Sequence, residues 1–100
     1  MVDIVDDALK EELNVIFKKY LEVSKVVLFG SRARGDNEKN SDVDICLFGD
    51  KITHSILAQI NMDIYEINTP LSFDIVCFKE LEKKSLIENI KKEGVVLYSE

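Results

Sequence analysis

One stretch constrains this chain more than any other, residues 26–47, which read VVLFGSRARGDNEKNSDVDICL. Its first part is apolar, β-branched and aromatic, and it ends at Gly30-Ser31, which predicts a buried strand over Val26–Phe29. A second apolar run predicts a strand over Val43–Phe48. Asp42 and Asp44 lie two residues apart at its start, so their side chains point to one face. The fold must therefore accommodate a glycine turn followed, along the chain, by a carboxylate pair.

The residue types in this stretch favour phosphate and metal chemistry. Two neighbouring carboxylates raise each other's pKa unless a cation lies between them. Mg²⁺ is the hard cation that binds carboxylate oxygens while keeping waters and substrate phosphates. Gly30 lets the backbone approach a ligand closely, and Ser31 with the amides after it, at a strand-to-helix turn, makes an anion site. Together these residues predict nucleotide binding coupled to a metal ion.

The pattern of Gly30-Ser31, ten intervening residues and Asp42-x-Asp44 resembles the signature of the DNA polymerase β-like nucleotidyltransferases. The fuller string GSRARG…SDVDI is similar to their smallest members, the minimal nucleotidyltransferases (MNT). Only the combination is specific, because a lone Asp-x-Asp is typical of a solvated strand start and a lone Gly-Ser of an ordinary turn. The resemblance extends loosely over nearly the whole chain and implies one minimal nucleotidyltransferase domain over residues 1–100.

Composition and charge exclude several classes of partner. One hundred residues, 46% of them hydrophobic, make one small globular domain. A net charge of −6 argues against a broad basic surface for nucleic acid. The acidic start MVDIVDD lacks the basic region of a signal peptide. No apolar run approaches the ~20 residues that span a bilayer, so we expect a cytoplasmic protein without a membrane segment.

Apolar periodicity predicts three helices beside the strands. The first carries aspartates near its start (Asp3, Asp6, Asp7), ends near 22–24 and has an apolar stripe of Val5, Leu9, Leu13, Ile16, Phe17, Tyr20 and Leu21. The second begins after an N-cap at Thr53 and ends near Glu66, before the turn at Asn68-Thr69-Pro70. The third has Gly94 as its C-terminal stop and is marked by Leu81, Leu86, Ile87 and Ile90.

A third strand is predicted over Ser72–Phe78, and it carries Asp74 inside an apolar run. A buried, unpaired carboxylate is costly, so Asp74 either has a partner or faces water at a strand edge. In the family that the motif resembles, a third carboxylate lies on the strand beside the dyad, and Asp74 matches it by position. A short strand over Val95–Tyr98 is expected to follow the last helix.

The order α-β-α-β-α-β-α predicts an α/β (α+β) domain, with a small mixed sheet covered by helices on one face. By alternation, Val43, Ile45 and Leu47 face the helices. The face of the aspartates then also carries an apolar patch of Cys46, Phe48, Val76 and Phe78. Because no further long helix is predicted to cover this patch, we expect it to bind a partner or a second copy of the chain.

The sequence predicts the roles of the remaining reactive side chains less specifically. Arg32 and Arg34, the only arginines, lie beside the predicted phosphate site and suit bidentate phosphate contacts, but structural ion pairs with local carboxylates are equally compatible. Cys46 and Cys77 lie in apolar strands without a CxxC pattern and are interpreted as core residues. His54, the single histidine, is interpreted as a surface residue.

The resemblance implies transfer of NMP, AMP from ATP, to a hydroxyl group with release of pyrophosphate. Asp42 and Asp44 would hold Mg²⁺, two ions that clamp the attacking and leaving oxygens. Asp74 would complete one metal's shell and accept or orient the hydroxyl proton. The Gly30-Ser31 turn, with Arg32 or Arg34, would bind the triphosphate.

The acceptor is expected to come from another chain, because 100 residues leave no room for the second domain of larger family members. Minimal nucleotidyltransferases that this chain resembles commonly act as antitoxins of a helical HEPN ribonuclease, and some add AMP to a toxin tyrosine. That is the leading expectation. A small-molecule, aminoglycoside-type nucleotidyltransferase and a non-catalytic antitoxin that acts by binding remain alternatives, although the intact Asp42, Asp44 and Asp74 argue against the second.

Overall fold

A mixed sheet organises the part of the chain that the computed structural model describes, residues 7–38 and 41–100. Within these residues it has four strands, namely β1 (Lys25–Phe29), β2 (Val43–Phe48), β3 (Phe73–Cys77) and β4 (Val95–Ser99). Their order across the sheet is β3-β2-β1-β4. β1 pairs antiparallel with β2 and β4, whereas β2 and β3 are parallel. The predicted mixed sheet is confirmed, and β2 has the predicted bounds.

Helices alternate with the strands in the predicted order. They are α1 (Asp7–Lys18), α2 (Ser31–Arg34), α3 (His54–Tyr65) and α4 (Lys84–Glu93), with a 3₁₀ turn at Phe78–Glu80. The Thr53 hydroxyl accepts a hydrogen bond from the Ile56 amide at 3.2 Å, so the predicted N-cap of α3 is confirmed. α3 forms the crossover that a parallel strand pair requires. None of the described helices is long and apolar enough to cross a membrane.

The first helix ends earlier, and the last helix begins later, than the sequence predicts. Val5, Asp3 and Asp6 of the predicted first helix lie outside the described residues. α1 ends at Lys18, because the chain then tightens into turns that bury Val23 and leave the Leu21 side chain 88% exposed. Leu81 does not belong to the last helix, since it closes the 3₁₀ turn and α4 begins only at Lys84.

The main core lies between the sheet and the pair α1 and α3. Phe17 and Leu13 of α1 and Ile60 of α3 are fully buried against one face of the sheet. That face includes the three residues predicted to point towards helices, Val43, Ile45 and Leu47. The predicted alternation of β2 is therefore confirmed. The Tyr20 hydroxyl donates a hydrogen bond of 2.5 Å to Asp63, which joins the segment after α1 to α3.

The opposite face of the sheet is not left open, which corrects the prediction that helices cover one face only. α4 packs there, and its Ile90 forms a second core cluster with Val27, Phe29 and Cys46. Helical periodicity shows which side of α4 is apolar, but it does not show which sheet face that side covers. Gly94 allows the chain to pass close to β1 after α4, because a Cβ there would lie 2.4 Å from Val27 Cγ1.

The apolar patch predicted as an interface is covered only in part by α4. Cys46 is fully buried, whereas Phe48, Val76 and Phe78 are half-buried, and the Phe48 and Phe78 rings stack with their centroids 4.4 Å apart. Binding of a partner or a second copy at this patch stays a prediction. The Lys25 ammonium lies 4.4 Å from the centroid of the Phe48 ring. Cys46 and Cys77 are buried free thiols, as predicted, and burial raises the pKa of Cys46 to about 12. The His54 side chain is 91% exposed, as predicted for a surface residue.

Candidate functional site

Strand pairing brings the predicted third carboxylate beside the dyad. Asp44 on β2 is the register partner of Phe29 on β1 and of Asp74 on β3. Parallel pairing carries both β2 and β3 away from the same end of the sheet, so all three aspartates lie near that end. Asp44 is half-buried, whereas Asp42 and Asp74 are exposed. Asp74 therefore lies on the edge strand in contact with water and is also beside Asp44.

The glycine turn lies against the same carboxylate. A Cβ atom on Gly30 would be 2.2 Å from Asp44 Oδ2, so a larger residue would displace the aspartate. The backbone of Gly30 also has φ 76°, a conformation that favours glycine. The predicted strand-to-helix turn is present, since β1 ends at Phe29 and α2 begins at Ser31. The turn and the dyad thus form one continuous surface.

Electrostatic repulsion is concentrated on Asp44. Partial burial raises the pKa of its carboxyl group, and the neighbouring charges of Asp74 and Asp42 raise it further. Arg34 opposes this effect only in part. Asp44 is therefore the carboxylate whose ionised form a bound cation would stabilise most.

The two arginines occupy different environments. Arg34 is exposed, and its Nε lies 3.1 Å from Asp36 Oδ2 while its Nη1 lies 3.4 Å from Glu93 Oε2. It therefore makes the local ion pairs that the sequence left open as one alternative. Arg32 is only 7% exposed, and its Nε donates a hydrogen bond of 3.1 Å to the carbonyl oxygen of Ser41. Phosphate contact by either arginine stays a prediction.

The donor set suits Mg²⁺ only in combination with a substrate. Within residues 7–38 and 41–100, no three Asp, Glu, His or Cys side chains form a preformed metal cage. Mg²⁺ in nucleotide sites is commonly held by one or two carboxylates, with phosphate oxygens and waters as the other ligands. Asp42 and Asp44 provide such a pair, and their repulsion and their oxygen-only chemistry fit this ion.

Sequence reasoning missed Glu93, which reaches the site from α4 and pairs with Arg34. No sequence signal could have identified it, because its place depends on α4 lying on the face of the aspartates. A cavity of about 520 Å³ opens elsewhere, between the end of α3 and the start of β3, and its lining includes Tyr65, Leu71 and Phe73. The three aspartates do not line it, so we place the candidate site on the carboxylates and the Gly30 turn.

A glycine turn packed against an aspartate of β2, with a second aspartate beside it on β3, is typical of a nucleotidyltransferase domain when it occurs in a small mixed sheet. Residues 11–100 match the family described as Polymerase beta, Nucleotidyltransferase, and the chain belongs to that family. It is 31% identical over 97 residues to the Methanocaldococcus jannaschii protein named Putative protein adenylyltransferase MJ0604. The matched residues make up 93% of this chain and 97% of the relative. The family predicted from Gly30-Ser31 and Asp42-x-Asp44 is confirmed, and the protein is a nucleotidyltransferase.

Solved structures share the fold. A chain of a crystal structure described as a toxin-antitoxin with AMP-PNP superposes with a TM-score of 0.73 at 16% identity, over 91% of this chain and 73% of that one. A chain of the structure of tri-AMPylated Shewanella oneidensis HEPN toxin in complex with MNT antitoxin also superposes. Its TM-score is 0.62 at 15% identity, over 92% of this chain and 73% of that one. The likeness confirms the predicted α+β architecture.

Proposed function

We propose that this nucleotidyltransferase transfers AMP from ATP to a hydroxyl group of a partner protein in an Mg²⁺-dependent reaction. The acceptor in this proposal is a tyrosine of a helical HEPN-type ribonuclease, which the protein neutralises as an antitoxin. One observation carries the transfer chemistry. The Gly30 turn lies against the Asp44 side chain, and Asp44 is in register with Asp74. The proposed triphosphate site is therefore next to the carboxylates.

The roles of the residues follow from this arrangement. The Gly30-Ser31 turn binds and orients the β and γ phosphates, and Arg34, the exposed arginine, is the one suited to reach them. Asp42 and Asp44 would hold Mg²⁺, and Asp74 would complete its shell. Bound there, the ion would neutralise charge on the phosphoryl oxygens and on the leaving pyrophosphate.

The transfer itself balances with the groups at hand. The acceptor oxygen forms a bond to the α-phosphorus, the bond from that phosphorus to the bridging oxygen breaks, and pyrophosphate leaves. In this proposal Asp74 accepts the proton of the acceptor hydroxyl, a role that its exposure and its register with Asp44 support. Positioning and charge neutralisation therefore account for most of the rate enhancement.

A protein acceptor is supported by four observations. The 31% identical relative carries the name Putative protein adenylyltransferase. The fold is shared with chains of toxin–antitoxin complexes, one of which contains an AMPylated HEPN toxin. Asp42 and Asp74 are exposed and thus accessible to a side chain from another molecule, and a net charge of −6 disfavours a nucleic-acid acceptor.

The test is incubation with a purified HEPN-type partner, ATP and Mg²⁺, followed by mass spectrometry of the intact partner and of its tyrosine peptides. We expect mass increments of one or more AMP groups on tyrosine. The double variant Asp42→Asn/Asp44→Asn should abolish the increments and still bind the partner. If the wild-type protein neutralises the partner without changing its mass, it acts by binding alone. Label transferred to an aminoglycoside instead would identify a small-molecule enzyme.

A further inference from the structure

We infer that Arg32 is a positioning residue that holds the peptide between Ser41 and Asp42, and so keeps Asp42 beside the Gly30-Ser31 turn. The inference rests on the proposed function, because it assigns a role within the same site. It also separates the two arginines, which sequence reasoning treats alike as candidate phosphate ligands.

The first step is the burial of the Arg32 side chain. It is 7% exposed and is the one charged residue in the buried class within the described part of the chain. Burying a guanidinium is costly unless its donors are used. One donor, Nε, is directed to the Ser41 carbonyl at 3.1 Å. The side chain is therefore used inside the fold, whereas Arg34 two residues later is exposed to solvent.

The second step is the position of Asp42 along the chain. It precedes β2, whose ladder begins at Val43, so regular strand pairing does not hold it. Two backbone contacts flank it instead. The Ser41 carbonyl before it accepts the Arg32 hydrogen bond, and the Val43 amide after it donates to the Ser72 carbonyl at 2.9 Å. Loss of the Arg32 contact would free the carbonyl oxygen of the peptide before Asp42, although the Ser41 amide and hydroxyl would keep their hydrogen bonds to Glu38.

The third step is that Gly30 and α2 together contact both aspartates of the dyad, one through its carboxylate and the other through its backbone. Gly30, immediately before α2, lies against the Asp44 carboxylate, and Arg32 within α2 is bonded to the peptide of Asp42. Ser41 is itself held by the loop, since its hydroxyl accepts a hydrogen bond of 2.9 Å from the Glu38 amide. The turn that binds phosphate therefore sets the position of both carboxylates relative to itself.

The first test needs neither acceptor, metal nor nucleotide. Amide hydrogen exchange is measured by NMR in EDTA for the wild type, Arg32→Gln, Arg32→Lys and the control Lys18→Gln, which changes an exposed residue of α1. We expect exchange at Val43, whose amide donates to the Ser72 carbonyl, to be at least about tenfold faster in Arg32→Gln, with Val27 in β1 unchanged, because only the local anchor is lost. Arg32→Lys, which keeps a charged donor, should restore part of the protection. Equal acceleration at Val27 would mark a general structural role and overturn the inference.

The second test separates positioning from phosphate binding. ATP affinity is measured by calorimetry with Mg²⁺ and with EDTA. In Arg32→Gln we expect the affinity in EDTA to stay within about twofold of the wild type, while the gain that Mg²⁺ provides is lost, because a displaced Asp42 cannot share the ion with Asp44. A fall of tenfold or more in EDTA, with exchange at Val43 unchanged, would assign Arg32 to the phosphates and overturn the inference.

The two proposals fail in different ways. If Mg²⁺ gives the wild type no gain in ATP affinity, the proposed function fails, and the exchange experiment still decides the role of Arg32. If neither Arg32 variant folds, the wild-type protein decides it through the side-chain Nε–H resonances. That of Arg32 should exchange slowly and keep its chemical shift when ATP is added, and an ATP-induced shift as large as that of Arg34 would overturn the inference.

Discussion

A Cβ atom on Gly30 would lie 2.2 Å from Oδ2 of Asp44, so the phosphate-type turn and the second carboxylate of the dyad fit together only when residue 30 has no side chain. The contact links the backbone turn that follows β1 to a side chain of β2. The geometry of the site therefore depends on residue 30 carrying a hydrogen atom where any other residue has a Cβ.

Replacing Gly30 by alanine should therefore damage both stability and transfer. The positive φ of 76° costs an alanine about 1–3 kcal/mol, and the overlap should displace Asp44 enough to lower the rate of AMP transfer by about 100-fold. Urea unfolding and the partner-labelling assay measure the two effects. Gly35→Ala is the matched control, because Gly35 also has a positive φ, 83°, but is exposed at the end of α2. It should lose stability and keep most of its activity, and equal activity losses would contradict the proposed contact.

Asp44 should make the metal-free protein less stable as pH rises. Its pKa is raised in the folded state above the ordinary value of 3.8, so between these two values the folded protein binds more protons than the unfolded chain. Stability is then lost as pH increases through that window. In EDTA at pH 7, Asp44→Asn should be at least as stable as the wild type, and its advantage should vanish below pH 3.8.

Urea unfolding between pH 3 and pH 7 checks this dependence. Asp50→Asn, at an exposed aspartate in the turn after β2, is the matched control and should follow the wild-type curve. An Asp44→Asn protein that unfolds more easily than the wild type at neutral pH would identify Asp44 as a structural residue.

Binding of ATP should depend on Mg²⁺ through the dyad. Mg²⁺ should raise the ATP affinity of the wild type at least tenfold, about 1.4 kcal/mol, because Asp42 and Asp44 would hold the ion, which would relieve the repulsion on Asp44 and neutralise phosphate charge. Asp42→Asn and Asp44→Asn should each lose most of this gain in a calorimetric titration. Asp50→Asn again serves as the control, and equal gains in all proteins would place the metal elsewhere.

Phe78 should stabilise the fold. Its ring stacks on Phe48 at 4.4 Å and packs beside the α4 cluster, so Phe78→Ala should lower the free energy of unfolding by about 2 kcal/mol. Tyr65→Ala, at an aromatic residue that is 90% exposed, should change it by less than about 0.5 kcal/mol. Urea unfolding of both variants is the measurement. Reversed magnitudes would show that the Phe78 ring does not stabilise the fold.

Local patterns predicted most of the elements, because the physical causes are themselves local. Alternation along Val43–Phe48 gave both the bounds of β2 and the face of each side chain. The Thr53 hydroxyl and the residues after it marked the start of α3 in the same way. The spacing of Gly30, Asp42 and Asp44 was informative because turn and dyad lie on two strands that are adjacent in sequence and in space.

What the sequence could not supply is the relation between distant elements. The periodicity of α4 does not show which side of the sheet it covers. At Gly94, just after α4, φ is −65° and glycine is needed for space near Val27 rather than for a left-handed backbone. Arg32 and Arg34 look equivalent in sequence, yet one is buried and one exposed. Arg32 differs by its hydrogen bond to the Ser41 carbonyl, a contact that no periodicity encodes.

The parallel pairing of β2 and β3 also has a consequence for the order in which the protein folds. The Gly30 turn follows β1 and the dyad lies at the start of β2, two neighbouring antiparallel strands that are joined by residues 30–42. Asp74 joins them only after residues 49–72, with α3, have crossed over the sheet, and such non-local pairings form late because a longer loop must close. We therefore expect the turn and dyad to assemble early and the three mutually repelling aspartates to meet only when the docking of α3 can hold them together.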